Sequence, residues 1–177
     1  MALRNIVKQG DPCLSKHCRE VTDFNDRLHC LLDDMAETLG QAEGVGLAAP
    51  QVGILRRAVL VLETNVPEDE DDYVIELVNP ELIFAEGDQA GPEGCLSVPG
   101  VYGYVNRPEH VKVRAQDRNG EWFEVEGFGL TARAMCHELE HLDGHLFTEV
   151  ADHIMSDEEL DEYYGRDVSS EIRGRRK

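Results

Sequence analysis

Apolar residues recur at helical spacing early in the chain. Between positions 23 and 39 they lie three or four residues apart, at Phe24, Leu28, Leu31, Leu32, Met35 and Leu39. Gly40 follows directly, and a glycine there is typical of a helix end. The pattern predicts an amphipathic helix over 23–39, with one face packed on a core.

Short apolar or β-branched runs after this helix predict strands at 58–62, 74–78 and 82–85, because each is bounded by proline, glycine or acidic residues. From 111 to 116 apolar and polar residues alternate, and Asn119-Gly120 then leads into an apolar stretch at 122–125. This combination is typical of a β-hairpin.

A second helix is predicted over 131–142, with Thr131 as its N-terminal cap and Gly144 after its end. Ser156 and Glu159 have the spacing of a capping box, which predicts a further short helix. Helices and hairpin-connected strands together indicate an α+β fold, with short antiparallel sheets packed around the central helix over 131–142.

Composition and charge limit the number of domains and the kinds of binding partner. A chain of 177 residues with 41% hydrophobic and 30% charged residues suits one domain, 1–177, with a buried core. The net charge of -19 argues against general nucleic-acid binding, which needs a basic surface. The only basic cluster is at the end, from Arg173 to Lys177, and we expect 165–177 to form a flexible basic tail.

The sequence also indicates the cellular compartment in which the protein works. The first residues lack the long apolar core of a secretory signal and the amphipathic pattern of an organellar one. No stretch is apolar for long enough to span a bilayer, so we expect no membrane association. Five cysteines form an odd set without paired CxxC spacing. A reducing cytoplasm fits these features.

The second predicted helix carries candidate chemistry. His137 and His141 are four residues apart, which on a helix is a rotation of about 400° and places both imidazoles on one face. Two such histidines can bind one metal ion, and Glu138 beside them can act on water at that metal. The pattern is typical of metal-assisted hydrolysis.

A catalytic metal needs a third protein ligand, and the residues alone leave its identity open. A metzincin would have histidine where Phe147 stands, so that class is excluded. A metallo-endopeptidase would use a downstream glutamate, such as Glu158, Glu159 or Glu162. Cys95, flanked by glycines and prolines, would instead give a site of one cysteine and two histidines.

Three segments resemble the signature motifs of the peptide deformylase family, in the family's order and at similar separations. They are Gly-Val-Gly-Leu-Ala-Ala-Pro-Gln at 44–51, Glu-Gly-Cys-Leu-Ser at 93–97 and His-Glu-Leu-Glu-His at 137–141. The segments 6–12 and 78–80 are also similar, so the resemblance runs from about Arg4 to Glu149. It implies the deformylase fold and removal of the formyl group from N-formylmethionyl nascent peptides, with release of formate.

The resemblance also implies residue roles. Cys95, His137 and His141 would bind one divalent metal ion, Fe²⁺ in the cell, which Zn²⁺, Ni²⁺ or Co²⁺ can replace. Glu138 would take a proton from the attacking water and pass it to the departing amine. The backbone N–H of Leu96 and the side-chain amide of Gln51 would stabilise the oxyanion.

An extended peptide would pair with a strand edge near Val45, and its methionine side chain would enter an apolar pocket beside the metal helix. The residues expected to contact substrate are Gly44, Val45, Gly46, Glu93, Gly94, Leu130, Arg133 and Ala134. Arg133 stands where the family usually has an apolar residue. We hypothesise that it pairs with Glu93 or biases the choice of substrate beyond the first residue.

Other departures and alternatives follow from the same comparison. Glu140 stands where the family most often has aspartate, and we expect it in an ion pair. A deformylase-like protein that holds metal without catalysis is a further alternative, although Glu138 and Gln51 are intact. The basic cluster at the end of the chain predicts docking on the ribosome near the exit tunnel, because ribosomal RNA attracts arginine and lysine.

Overall fold

The computed structural model describes residues 1–174 and has an α+β fold with antiparallel sheets, as predicted. Its helices are α1 (Asp26–Ala42), α2 (Gly129–Leu142) and α3 (Asp157–Gly174). Its strands are β1 (Gly46–Ala48), β2 (Ala58–Glu63), β3 (Tyr73–Glu86), β4 (Gln89–Cys95), β5 (Val98–Arg107), β6 (His110–Gln116), β7 (Trp122–Phe128) and β8 (His153–Ile154). Short 3₁₀ turns occur at Pro12–Ser15, Ala49–Val52 and Phe147–Glu149.

The strands form two sheets. The larger has the order β1-β2-β3-β6-β7, and the smaller has the order β4-β5-β8. Every neighbouring pair is antiparallel. Within the described residues β1 pairs with β2 alone, so its other edge is open.

The larger sheet is covered by a helix on each face, and β2 shows why. Val59 and Val61 belong to the core that includes α2, whereas Ala58 and Leu60 belong to the core that includes α1. Successive side chains of a strand point to opposite faces, so the continuous apolar run of β2 is buried on both sides. Helix α2 also contacts β5, which places it between the two sheets.

Helix α1 confirms the first predicted helix but not its predicted end. The Asn25 side chain accepts the N–H groups of Arg27 and Leu28 and so caps its start. Gly40 lies inside the helix, which continues to Ala42 and ends where Glu43 adopts φ +53°. The backbone N–H of Glu43 takes over the capping of the last carbonyls, so no glycine is needed there.

The strands predicted at 74–78 and 82–85 are parts of one long strand, β3. Its pairing with β6 has register shifts between Val78 and Glu81 and between Leu82 and Phe84. Asn79, at φ +49°, sits at the first shift, and its side chain hydrogen-bonds both the N–H and the carbonyl of Val21. These bonds let the strand continue through Asn79 and Pro80, where the sequence indicated a break.

The predicted hairpin is confirmed as β6 and β7. Helix α2 begins at Gly129, so Thr131 is not its cap; the Thr131 hydroxyl instead donates to Glu63 Oε1 at 2.9 Å. The prediction failed because Thr131 has a buried partner far away in sequence. The predicted end is confirmed, since the helix stops at Leu142 and Gly144 follows with φ +80°.

Helix α3 starts after the predicted capping box. The Ser156 N–H donates to Glu159 Oε2 at 2.8 Å, and the Glu159 N–H donates to Ser156 Oγ at 3.2 Å. The helix continues to Gly174, which is longer than the predicted short helix, so the first part of the expected tail is helical. Residues 175–177, where the expected basic tail ends, lie outside the described residues.

No helix of the described chain is both long and apolar enough to cross a membrane.

Candidate active site

Helix α2 buries two histidines between the sheets. The rings of His137 and His141 have centroids 5.0 Å apart and are inclined at 73°. Cys95, the last residue of β4, brings its Sγ to 3.4 Å from Nε2 of His141. One ligand atom from each of these three residues lies within 4.8 Å of the others. The fold therefore brings Cys95 to the two histidines, which the sequence spacing alone did not establish.

Local strand geometry places the cysteine. Residues 96–97 make the tight connection between β4 and β5, in which Cys95 pairs with Val98. A register shift between Glu93 and Cys95 interrupts the ladder just before this turn. A bulge of this kind redirects a side chain at a sheet edge, and here it accompanies a thiol that faces α2.

The donor set fits a divalent transition metal. A thiolate and two imidazoles suit borderline-soft ions such as zinc and iron. His137 Nδ1 is engaged with Glu93 Oε2 at 2.8 Å, which leaves Nε2 for a metal and is the usual outer partner of a metal-binding histidine. Burial, followed by the neighbouring His137, lowers the pKa of His141 to about 3, so its ring is neutral, the form that binds metal.

Glu138 lies buried next to His137, and its Oε2 has no hydrogen-bond partner among the described residues. Burial raises the pKa of this carboxyl to about 7. Strand β1 passes very close, since a Cβ on Gly46 would lie 2.5 Å from Glu138 Oε1. Only glycine leaves space for the carboxylate at this point.

Gln51 is held by three contacts in the 3₁₀ turn after β1. Its Oε1 accepts the N–H of Ala48 at 2.9 Å, so its Nε2 faces the opposite way. That nitrogen donates to Ser97 Oγ at 3.2 Å and to Cys95 Sγ at 3.5 Å. The amide is thus fixed as a donor directed at the cysteine. Ser97 is fully buried here, a role that sequence reasoning did not assign.

A cavity of about 710 Å³ opens beside these groups. Its wall includes Gln51, Cys95, Leu96, His137 and Glu138. It also includes all eight residues expected to contact substrate, namely Gly44, Val45, Gly46, Glu93, Gly94, Leu130, Arg133 and Ala134. The open edge of β1 leads into it, so an extended chain in this cavity could pair with β1.

The family model for polypeptide deformylases matches residues 3–157 of this chain. The chain belongs to the polypeptide deformylase family. A peptide deformylase of Caldanaerobacter subterraneus subsp. tengcongensis is 50% identical over 161 residues, which cover 91% of this chain and 97% of that protein.

Solved deformylase structures have the same fold as this chain. The crystal structure of the peptide deformylase from Thermotoga maritima has a TM-score of 0.79 and 34% identity, covering 86% of this chain and 100% of that one. The Met-Ala-Ser-bound class I type b peptide deformylase from Acinetobacter baumannii has a TM-score of 0.77 and 35% identity, covering 84% of this chain and 98% of that one. The predicted recognition is confirmed: this deformylase is a metal-dependent hydrolase that removes the N-formyl group of nascent polypeptides.

The deformylase cavity has an ionic network behind His137. Arg107 lies 2.7 Å from Glu93 Oε2 and 2.5 Å from Glu140 Oε1, so it links the two carboxylates. Burial raises the pKa of Glu93, but hydrogen bonds from His137 and Arg107 outweigh it and bring the pKa to about 2. The expected ion pair of Glu140 is confirmed. Arg107 was missed, because no local pattern in β5 marks it.

Arg133, the departure noted in the deformylase pattern, is buried, and both terminal nitrogens of its guanidinium are hydrogen-bonded. Nη1 contacts Glu93 Oε1 and the carbonyl of Val105, both at 3.1 Å, and Nη2 donates to the carbonyl of Gln89 at 2.9 Å. The predicted pairing with Glu93 is confirmed. An effect of Arg133 on the choice of substrate remains a prediction.

The glutamates considered for a metallo-endopeptidase lie elsewhere in this deformylase. Glu158, Glu159 and Glu162 are exposed residues of α3. Glu159 pairs with His153 at 3.2 Å in addition to its capping bonds. Among the described residues, the group that could hold a metal contains Cys95 and no glutamate.

Proposed function

We propose that this chain deformylates N-formylmethionyl peptides in the cavity beside α2, with a metal held by Cys95, His137 and His141. The observation that carries the proposal is the convergence of these ligand atoms within 4.8 Å, next to a buried carboxylate with a free oxygen. The three side chains come from β4 and from one face of α2. A purely structural site would have no need of the adjacent cavity and glutamate.

The metal is one divalent ion, ferrous iron in the cell, and zinc, nickel or cobalt can take its place. A cysteine with two histidines accommodates each of these ions. When bound, the ion supplies Lewis acidity, which polarises the formyl carbonyl and lowers the pKa of a water molecule. Glu93 holds His137 in the tautomer that offers Nε2 to the metal.

Glu138 carries the proton. Its carboxylate accepts a proton from the attacking water as the water oxygen bonds to the formyl carbon. The same carboxyl then gives this proton to the methionine nitrogen as the carbon–nitrogen bond breaks, which releases the free amine and formic acid, and the acid loses its remaining proton to give formate. Burial raises the pKa of this carboxyl to about 7, which makes its carboxylate a stronger base towards water than an exposed glutamate.

Gln51 and Leu96 stabilise the charge on the formyl oxygen. The Gln51 amide is already directed towards Cys95 by its bond to the Ala48 N–H, so it needs no rearrangement to donate. Leu96 directly follows Cys95, and its backbone N–H is the second donor. The Leu96 carbonyl, in the next peptide unit, accepts a hydrogen bond from Lys8 Nζ at 3.0 Å, which helps to hold the turn after Cys95.

The peptide binds as an added strand on the open edge of β1 near Val45. Its methionine side chain enters the part of the cavity lined by Leu130, Arg133 and Ala134. The Acinetobacter baumannii relative was solved with Met-Ala-Ser bound, which supports a peptide of this size as ligand.

Formate release tests the proposal. The protein is loaded with ferrous iron without oxygen and incubated with formyl-Met-Ala-Ser. We expect formate release from the unchanged protein and none above background from Glu138→Ala with its metal retained. Cys95→Ala should lose the metal, whereas Glu158→Ala, Glu159→Ala and Glu162→Ala should each keep it. Activity in Glu138→Ala, or metal retention in Cys95→Ala, would contradict the proposed roles.

We further infer that the enzyme works in the cytoplasm on chains leaving the ribosome, with docking by the basic cluster that begins at Arg173. Basic side chains suit the phosphates of ribosomal RNA, while the remainder of this acidic chain does not. Deleting residues 173–177 should reduce cosedimentation with ribosomes and leave peptide deformylation unchanged. Equal cosedimentation of both proteins would remove the docking inference.

A further inference from the structure

Helix α3 brings a side chain to the cavity that the sequence did not suggest. Tyr164 lines the cavity of about 710 Å³ and is 52% exposed. The other candidate residues of the cavity come from the segment 44–51, β4, the turn after it and α2. Tyr164 is therefore a contribution from a separate part of the fold.

The start of α3 is fixed relative to the cavity wall. Strand β8 pairs with β5, and the Met155 N–H donates to the carbonyl of Tyr102 at 2.8 Å. Tyr102 itself lines the cavity. The reciprocal capping bonds of Ser156 and Glu159 then set the direction in which the helix begins.

Tyr163 anchors the second turn of α3 against β4. A Cβ on Gly91 would lie 3.0 Å from Tyr163 Oη and 3.8 Å from Arg133 Nη2. Glycine at position 91 thus leaves space for the ends of both side chains. The rings of Tyr163 and Tyr164 are 5.6 Å apart between centroids, so the same anchor positions Tyr164.

This anchor lies on the same side of β4 as Arg133, since the ends of both side chains flank Gly91, and Arg133 lines the cavity. Arg133 is one helical turn before His137 on α2, and Leu130 is nearly one turn further back. We propose that Tyr164 forms part of the wall that receives the methionine side chain, so that α3 helps to select the first residue of the peptide. The inference rests on the proposed function. An aromatic ring against a thioether improves affinity by about two- to tenfold.

Two peptides that differ only in the first side chain test this. With Tyr164→Ala we expect KM for formyl-Met-Ala-Ser to rise by about two- to tenfold, and KM for formyl-Ala-Ala-Ser to change by less than about twofold. The value of kcat should be unchanged, because the proposed role of Tyr164 is contact with the methionine side chain and not proton transfer. Tyr164→Phe should behave as the unchanged protein. Tyr73→Ala is the matched control, since Tyr73 is 54% exposed and lies outside the cavity.

The outcomes separate this inference from the proposed function. No formate from the unchanged protein would contradict the proposed function; the inference is then judged by calorimetric titration of the iron-loaded protein with Met-Ala-Ser, whose dissociation constant should rise in Tyr164→Ala. If formate is released but KM rises equally for both peptides, or for neither, α3 does not select methionine. A similar KM increase in Tyr73→Ala would also overturn the inference.

Discussion

Glu93 and Glu138 are both buried beside His137, yet their surroundings are opposite. Glu93 is contacted by His137, Arg107 and Arg133, and its pKa falls to about 2 because hydrogen bonds from His137 and Arg107 outweigh burial. Glu138 has one oxygen without a partner among the described residues, and burial raises its pKa to about 7. Burial alone would raise both pKa values, so the hydrogen bonds and charges of His137 and Arg107 beside Glu93 determine the difference. One carboxylate is a permanent anion that orients a metal ligand, and the other can gain and lose a proton.

The largest expected effect comes from removing the proton carrier. Glu138→Gln keeps the shape of the side chain but cannot accept a proton, so kcat for formyl-Met-Ala-Ser should fall by about 10²- to 10⁴-fold. Metal content, measured by atomic emission, should stay the same. Substantial turnover by Glu138→Gln with full metal content would show that Glu138 is not the proton carrier, and the contrast with Glu93 would fail.

Glu93→Gln should lower stability and metal affinity, the two properties that Glu138→Gln should leave unchanged. It leaves Arg107 and Arg133 without their shared buried carboxylate, so the free energy of unfolding should fall by about 3–5 kcal/mol in denaturant titrations. Metal affinity should fall by about 10- to 100-fold, because His137 loses its outer partner. Zinc competition with a chelator measures this second effect. Unchanged stability and affinity would mean that the network behind His137 is dispensable.

Gly46→Ala tests whether the close approach of β1 to Glu138 matters for stability and activity. The added methyl would lie 2.5 Å from Glu138 Oε1, so either the strand or the carboxylate has to move. We expect a loss of about 1–3 kcal/mol in stability together with reduced kcat. Gly40→Ala is a suitable control, since a Cβ there meets nothing within 4 Å. Equal behaviour of the two variants would contradict the close approach.

The smallest effect is expected from Glu140→Ala. Glu140 reaches Glu93 only through Arg107, and its side chain is partly exposed, so the loss of stability should be about 1 kcal/mol or less. Thermal unfolding and the zinc competition assay check this result. A loss as large as that of Glu93→Gln would show that Arg107 depends on both carboxylates equally.

The sequence pattern was sufficient to predict those elements of the fold whose contacts are local. The spacing of Leu28, Leu32 and Met35 predicted α1, the Asn119-Gly120 turn predicted the β6–β7 hairpin, and two histidines four residues apart predicted one face of α2. These features depend on residues a few positions apart, so they can be predicted from the local sequence alone.

Contacts between distant segments could not be predicted in the same way. Thr131 looked like a helix cap, but its hydroxyl donates to Glu63 of β2. Arg107 acquires its role from Glu93 and Glu140, which lie on two other elements. Cys95 became a strong candidate ligand by resemblance to a family, whereas the residues alone favoured it over the glutamates of α3 without deciding the third ligand.

The open edge of β1 has a consequence for self-association. An unpaired strand edge is a template on which other chains, including copies of the same protein, can add strands. This edge is only three residues long, from Gly46 to Ala48, and it borders the substrate cavity. The edge that we propose for peptide binding therefore has too few backbone groups to form a long seam between two molecules, which limits aggregation there.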